Sequence, residues 1–432
     1  MKLFDNMKVK NNILYINDVS TVDLVEKFGT PLYVIDEKLT REKCNRYYRA
    51  FKANEGKNKV AYAGKAFLTL AMCQLINSEG LYLDVVSAGE LYTAYKSNFP
   101  MEKIYFHGNN KTIEEIKMAI RLGIGNFVVD NVEEMKNIDS IARQENKVQS
   151  VLLRVTPGIE AHTHEYIKTG QIDSKFGFNI ENNGVMKAVK QALEFPNIKL
   201  SGLHCHIGSQ IFEVEPYCEE VDVMLSLIKD IKDKFSIDIC ELDLGGGFGI
   251  YYVEGDSPKP IEEFCSVILE KAEKKASELG IELPALVIEP GRSIIGNSGT
   301  TLYTIGSIKD IPNVRKYVSV NGGMADNIRP SLYKAKYECA IANRVYSEEK
   351  EKVTIAGKFC ESGDILIKDA ELAKVRIGDI LAVFTTGAYG YSMASNYNKA
   401  EKPAVVFVNG SNASLVCKRQ SLEDVIQGEL MI

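Results

Sequence analysis

Between residues 37 and 297 the chain alternates two hydrophobic rhythms. Short apolar runs (KVAYA, LYLDVVS, KIYFHG, NFVVD, SVLLRVTP, SGLHCHIGS, ICELDLGGG and ALVIEP) have the look of buried strands. Between them lie longer runs in which apolar positions recur every three to four residues, such as TIEEIKMAIRLG, VEEMKNIDSIAR, GVMKAVKQALEF and PIEEFCSVILEKAEKKASELG. Eight strand–helix units over about 250 residues predict a (β/α)8 TIM barrel, whereas an open doubly wound sheet would not need to close at eight. From residue 298 the helical period fades. TLYTIGSIKDI, KYVSVNG, KVTIAGK, DILAVFTTG, PAVVFVNG and ASLVCKRQ, divided by Gly, Asn and Pro, predict a β-sandwich or β-barrel domain over 298–432. Residues 1–36 carry two strand-like runs, NILYIND and PLYVID, around the short helix TVDLVEKFG, and are expected to join that β domain.

Composition narrows the setting. At 45% hydrophobic and 25% charged residues the chain is an ordinary globular protein. No apolar run reaches about 18 residues, so no membrane span is expected, and MKLFDNMKVKNN lacks the apolar stretch of a secretory signal. With 52 basic against 58 acidic residues and no basic block, neither nucleic acid nor an anionic membrane is an expected partner. The nine cysteines form no CxxC pair, which suggests reduced thiols and a cytoplasmic protein. His162/His164 and His204/His206 have zinc-pair spacing but no obvious third ligand, so no metal site is expected.

A barrel should carry its chemistry where strands end. The polar residues that interrupt these strands fall there: Lys65, Asp84, His107, Asp130, His206 with Ser209, the glycines after Leu244, and Glu289 with Arg292. Lys65 alone reads either as a solvated turn lysine or as an amine tuned to form a Schiff base. Gly245, Gly246 and Gly247 let backbone N–H groups approach an anion, and Arg292 in EPGR can add a forked cationic donor, so a phosphate site is predicted after strands seven and eight. Glu289 in an apolar strand end needs a cation, either an arginine or a protonated ring nitrogen. His206 reads as a core histidine or as a ring stacked on a flat ligand. Pyridoxal phosphate offers an aldehyde, a phosphate and a pyridine nitrogen, one for each of Lys65, the glycine run with Arg292, and Glu289.

YAGKA, DVVSAGEL, FHGNNKT, PGIEAHTHEYIKTGQIDSKFGF, GLHCHIGSQ, LDLGGGFGI, EPGRS, RPSLY, CESGD and GAYGYSMASNYN together make the chain, from about residue 28 to 425, resemble the diaminopimelate decarboxylases of the alanine-racemase-like class of pyridoxal-phosphate enzymes. The resemblance implies that Lys65 holds pyridoxal 5'-phosphate, with Asp84 close by. By the same resemblance His206 stacks on its ring, Glu289 protonates the ring nitrogen, and Ser209, Gly246, Gly247, Gly291, Arg292 and Tyr389 hold the phosphate. It also implies that Cys360 delivers a proton, that Glu361 contacts substrate, that both come from the second subunit of a homodimer, and that Arg329 and Tyr333, with Arg292, clamp the substrate's distal end. Tyr389 serves substrate as well as phosphate.

On that resemblance the expected reaction converts meso-2,6-diaminopimelate to L-lysine and CO2. An acid at Glu361 and a guanidinium at Arg329 suit a distal amino-acid group, whereas a diamine-forming relative needs only an acid. The alternatives are a decarboxylase of the same fold acting on another basic or carrier-linked amino acid, a racemase, which would need a base where Cys360 stands, and a non-catalytic cofactor binder, for which CESGD would have no use. Residues 160–175 are the candidate lid. One departure from the family's pattern is Lys358-Phe359 before Cys360, where proline is frequent; it leaves the loop's rigidity open.

Overall fold

The computed structural model describes residues 2–4, 6–159 and 174–432. The chain divides into two compact units, one of residues 43–249 and 258–291, the other of residues 1–42, 250–257 and 292–432.

The first unit is the expected barrel. Its strands are β1 (Lys59–Ala63), β2 (Tyr82–Val85), β3 (Ile104–Phe106), β4 (Asn126–Val129), β5 (Gln149–Thr156), β6 (Ile198–Cys205), β7 (Glu241–Asp243) and β8 (Ala285–Ile288). Each pairs in parallel with the next, and β8 returns to β1 through Val287–Lys59 and Ile288–Val60, so the sheet closes at eight. Closure removes every sheet edge. Helices begin just past the strand ends because side-chain oxygens there cap them. Thr69, Ser87, Thr112 and Asn131 each accept from a backbone N–H in the first turn of the following helix. In helix Ile113–Leu122 the Glu115 carboxylate also accepts from Thr112 N, a full capping box, and Ile116, Ala119 and Ile120 form its buried face. Inside the barrel Ala61, Tyr105, Val128, Leu152 and Val287 pack together. At the opposite end from the strand-end chemistry, Lys59 pairs with Glu241, which also accepts from Tyr105 Oη at 2.7 Å. Stability and chemistry thus occupy opposite ends of the barrel.

The second unit is built on one long strand, Gly299–Ile311. Its first half pairs with Leu32–Asp36 on one side and Ile380–Phe384 on the other; its second half pairs with Arg315–Val320. The N-terminal segment therefore joins the β domain as expected, and Leu32–Asp36 also runs parallel to Ala404–Asn409. Several strands escaped the sequence reading, Met7–Lys10 and Val19–Ser20 near the start of the chain and two more in the later part. Cys339–Ile341 is only three residues long, and Ile365–Ala373 has a polar centre with Asp369 at φ +55°, where its pairing register shifts. The boundaries also differ from 36/37 and 297/298 read from periodicity. Residues 250–257 and all residues from Arg292 lie with the β strands, because Ile250 and Tyr252 pack against Tyr303, Ile305 and Val318, a contact no local period reveals.

Glu220 gives the barrel a pH dependence. It lies fully buried on helix Glu215–Phe235, and burial pushes its carboxyl up to about 8, against a weak opposing contact with the Cys205 thiol. Its folded pKa lies above the unfolded value, so its contribution is complete below the ordinary 4.5 and is lost as pH rises through about 8. We expect the urea midpoint of the wild type to fall between about pH 5 and 8, and Glu220→Gln to flatten that slope and be the more stable protein at about pH 8. Parallel slopes would refute this.

Candidate active site

Lys65 sits in the short turn Gly64–Ala66 directly after β1, with Nζ 3.6 Å from Asp84 Oδ2 at the end of β2. Asp84 is fully buried, and neither of its carboxylate oxygens has a hydrogen-bond partner among the described residues. Burial raises its pKa, while His107 and Lys65 oppose the rise.

Glu289 follows β8 and is buried between two histidines. His107 Nε2, from the end of β3, lies 2.7 Å from Glu289 Oε1. His204 Nε2, on β6, lies 3.4 Å from Glu289 Oε2. Burial opposes ionisation, yet the two rings hold the Glu289 carboxyl well below the usual carboxylate range. Asp243 moves the other way, well above it, through burial and then the neighbouring Glu289 charge. The polar atoms of His107, His204, Asp243 and Glu289 all lie within 4.8 Å of one another. The sequence offered Glu289 an arginine or a ring nitrogen; the structure adds two imidazoles. His204 and His206, adjacent in the HCH motif, have different neighbours. Burial pushes His204 down to about 3. His206 Nδ1 accepts from Gly246 N at 3.3 Å, and burial, then the Lys65 charge, lower it well below the usual imidazole range. Both rings are therefore neutral at pH 7, and the Gly246 bond leaves the His206 proton on Nε2. His162 and His164, and all but the last two residues of the 160–175 segment, lie outside the described residues.

The glycine run has no room for side chains. A Cβ on Gly246 would stand 2.1 Å from Glu289 O, and one on Gly247, at φ +102°, 2.3 Å from Gly208 O. The glycines are thus required by loops packed backbone to backbone as well as by any anion approaching their N–H groups. Ser209 is half-buried after β6, and Gly291 is buried against Ala63.

The remaining candidates lie in the β unit. Arg292 donates to Tyr252 Oη at 2.7 Å, and its guanidinium stands 4.9 Å from the Tyr389 ring centre. Arg329 opens the short helix Arg329–Tyr333 and donates through Nε to Tyr337 Oη at 3.0 Å. Its guanidinium is 5.4 Å from the Tyr333 ring and 5.3 Å from that of Tyr389. Tyr389 therefore has two guanidinium groups close to its ring. Arg329 is buried and meets no carboxylate among the described residues. Tyr252 and Tyr337 were missed in the sequence; they stand in YYV and KAKYE, where nothing distinguishes them from packing tyrosines.

Cys360 and Glu361 are exposed on the loop after Lys350–Ala356. The loop is held without proline. Asp364 accepts from Phe359 N at 2.9 Å and from Met324 N at 2.7 Å, and Gly357 N donates to Asp364 O. A Cβ on Gly357 would fall 2.1 Å from the Asp364 carboxylate. Ser331 Oγ donates to Gly363 O at 2.6 Å and so ties the loop to the helix that carries Arg329, while Tyr397 Oη donates to Glu361 Oε1. These bonds settle what Lys358-Phe359 left open.

Two features suit a bound pyridoxal phosphate: buried Asp84 carboxylate oxygens that lack a hydrogen bond among the described residues, and a cradle of backbone that any Cβ would fill. Residues 39–296 match the family described as pyridoxal-dependent decarboxylase, pyridoxal binding domain. Diaminopimelate decarboxylase of Bacillus subtilis is 51% identical over 417 residues, covering 96% of this chain and 95% of that one. The Bacillus methanolicus enzyme of the same name is 52% identical over 409 residues, covering 95% of each. Among solved structures, diaminopimelate decarboxylase from M. jannaschii in complex with L-lysine is similar with a TM-score of 0.93 and 38% identity, over 99% of this chain and 98% of that one.

Removing the Asp364 carboxylate leaves two N–H groups without this acceptor, Phe359 in the loop and Met324 outside it. We expect Asp364→Ala to cost about 1–3 kcal/mol of stability and to speed amide hydrogen exchange across residues 357–364 by roughly tenfold or more. Unchanged exchange would show that the loop does not depend on Asp364.

Proposed function

Because this chain belongs to the diaminopimelate decarboxylase family of pyridoxal-dependent decarboxylases, we propose that it removes CO2 from meso-2,6-diaminopimelate to give L-lysine, using pyridoxal 5'-phosphate and the residues described above. Within the family fold, the observation that carries the substrate assignment is Arg329: a buried guanidinium that meets tyrosines but no carboxylate among the described residues. A buried cation calls for an anionic partner, and a distal carboxylate on the substrate provides one.

The residues divide the work as follows. Lys65 would hold the cofactor aldehyde, with Asp84 beside it. Glu289 would face the ring nitrogen as an anion and keep it protonated. His206, neutral and fixed by Gly246 N, would stack on the ring. The N–H groups of Gly246, Gly247 and Gly291, with Ser209, Arg292 and the Tyr389 hydroxyl, would hold the phosphate. Bound cofactor supplies the sink for the electron pair left when CO2 departs. Cys360 then gives its proton to the carbon that lost the carboxyl group. Arg329 and Tyr333 with Arg292 would grip the distal carboxylate, and Glu361, oriented by Tyr397, the distal ammonium. Family resemblance and the exposure of Cys360 and Glu361 in a single chain support a homodimer in which the partner subunit supplies this pair. Nine free thiols support a cytoplasmic setting, and no helix among the described residues is long and apolar enough to cross a membrane.

The deciding assay incubates the protein with the meso, LL and DD isomers and measures CO2 and lysine; the meso isomer alone should be consumed. A protein that takes up no cofactor, or whose visible band survives Lys65→Ala, would end this reading. Arg329→Ala should raise KM for the meso isomer about tenfold or more, since the carboxylate loses its partner; an unchanged KM would remove Arg329 from the clamp. Mixing Lys65→Ala with Cys360→Ala protein should restore roughly a quarter of wild-type activity, because half the dimers would then hold one intact site of two. No recovery from exchanging subunits would place Cys360 and Lys65 of one site on the same chain.

A further inference from the structure

The proposed roles leave His107 unused, yet its ring nitrogen lies close to two carboxylates of the barrel site. Its Nε2 lies 2.7 Å from Glu289 Oε1 and 3.8 Å from Asp84 Oδ1. Asp84 in turn lies 3.6 Å from Lys65 Nζ. Beyond Glu289, His204 stands edge-on to His107, ring centres 4.9 Å apart at 71°. The result is a row, Lys65–Asp84–His107–Glu289–His204, buried throughout except at Lys65. The Asp84 oxygens have no hydrogen bond among the described residues, so Asp84 is joined to the row by charge at short range in a buried site. The groups facing His107 come from four strands, Asp84 from β2, His204 from β6, Asp243 from β7 and Glu289 from β8, and the Arg154 charge on β5 acts on both Asp84 and Glu289.

We propose that His107 is a positioning residue that couples Asp84 to Glu289, so that the proton held at the Lys65 end of the cofactor and the proton held at its ring nitrogen depend on one another. The proposal rests on the reading of Lys65 and Glu289 as the cofactor's two polar contacts. The physical basis is that an imidazole shared by two carboxylates stabilises both. Without it Asp84 is a less compensated anion, and it retains a proton on the nearby nitrogen to higher pH. Glu289 meanwhile loses a neighbour that keeps it ionised towards the ring. Both changes raise the pH at which the bound chromophore deprotonates. His204 does not substitute, because it touches Glu289 alone of the two carboxylates.

The test is a pH titration of the visible absorbance of holoenzyme without substrate, for the wild type, His107→Phe, His107→Gln, Glu289→Gln and the His107→Phe/Glu289→Gln double variant. His107→Phe should move the midpoint up by about one pH unit or more. His107→Gln, which keeps a donor for Glu289, should move it less. In the double variant the two shifts should fail to add, since both break one coupling. Should His107→Phe not fold, His107→Asn, too short to reach Glu289, takes its place. A single variant that lowers thermal stability but titrates at the wild-type pH would assign His107 a merely structural role and overturn the proposal, as would additive shifts. Failure of the underlying reading looks different: wild-type protein would then bind no chromophore, or Lys65→Ala would keep it.

Discussion

Three carboxyl groups, Asp84, Asp243 and Glu289, are buried at one end of a closed barrel. Each isolated charge there would cost several kcal/mol, so the site exists only because neighbours share the burden. Lys65 and His107 face Asp84, His107 and His204 face Glu289, and burial and then the Glu289 charge push Asp243 towards its neutral form. The barrel makes this possible. Each of these groups stands at the end of a different strand, so six of the eight short strands converge polar residues that are far apart in the chain. Keeping the lower end tight, with Lys59, Glu241 and Tyr105 satisfied together, lets the upper end hold a set of groups that are individually unfavourable.

The β unit solves a different problem with different chemistry. Here two buried guanidinium groups, Arg292 and Arg329, meet aromatic faces and phenol oxygens. Arg292 and Arg329 share Tyr389, and each donates to a further tyrosine. Arg329, which meets no carboxylate among the described residues, remains available to an anion, whereas a cation already paired with a carboxylate does not.

Much of this was legible in the chain, for stated reasons. Strand ends are visible because polar residues interrupt apolar runs, so Lys65, Asp84, His107 and Glu289 could be placed before any coordinates. The glycine run and EPGR announced themselves by composition. What stayed hidden was partnership. Nothing in the HCH motif says that His204 faces Glu289 while His206 accepts from Gly246, because neighbours across a barrel leave no local spacing. Tyr252 and Tyr337 were hidden for the same reason. Asp364 was visible in CESGD, but its work of accepting two N–H groups depends on Met324, some forty residues earlier in the chain. The exposed thiol of Cys360 was assigned through family likeness; its surroundings within one chain do not mark it out.

The bond from Ser331 to Gly363 has an implication for redesign. The turn bearing Arg329 and the segment bearing Glu361 are latched to one another within a single unit. In the proposed homodimer Glu361 of one chain serves the other chain's substrate, so altering this latch would change how a residue offered to one site is held against the guanidinium of the second.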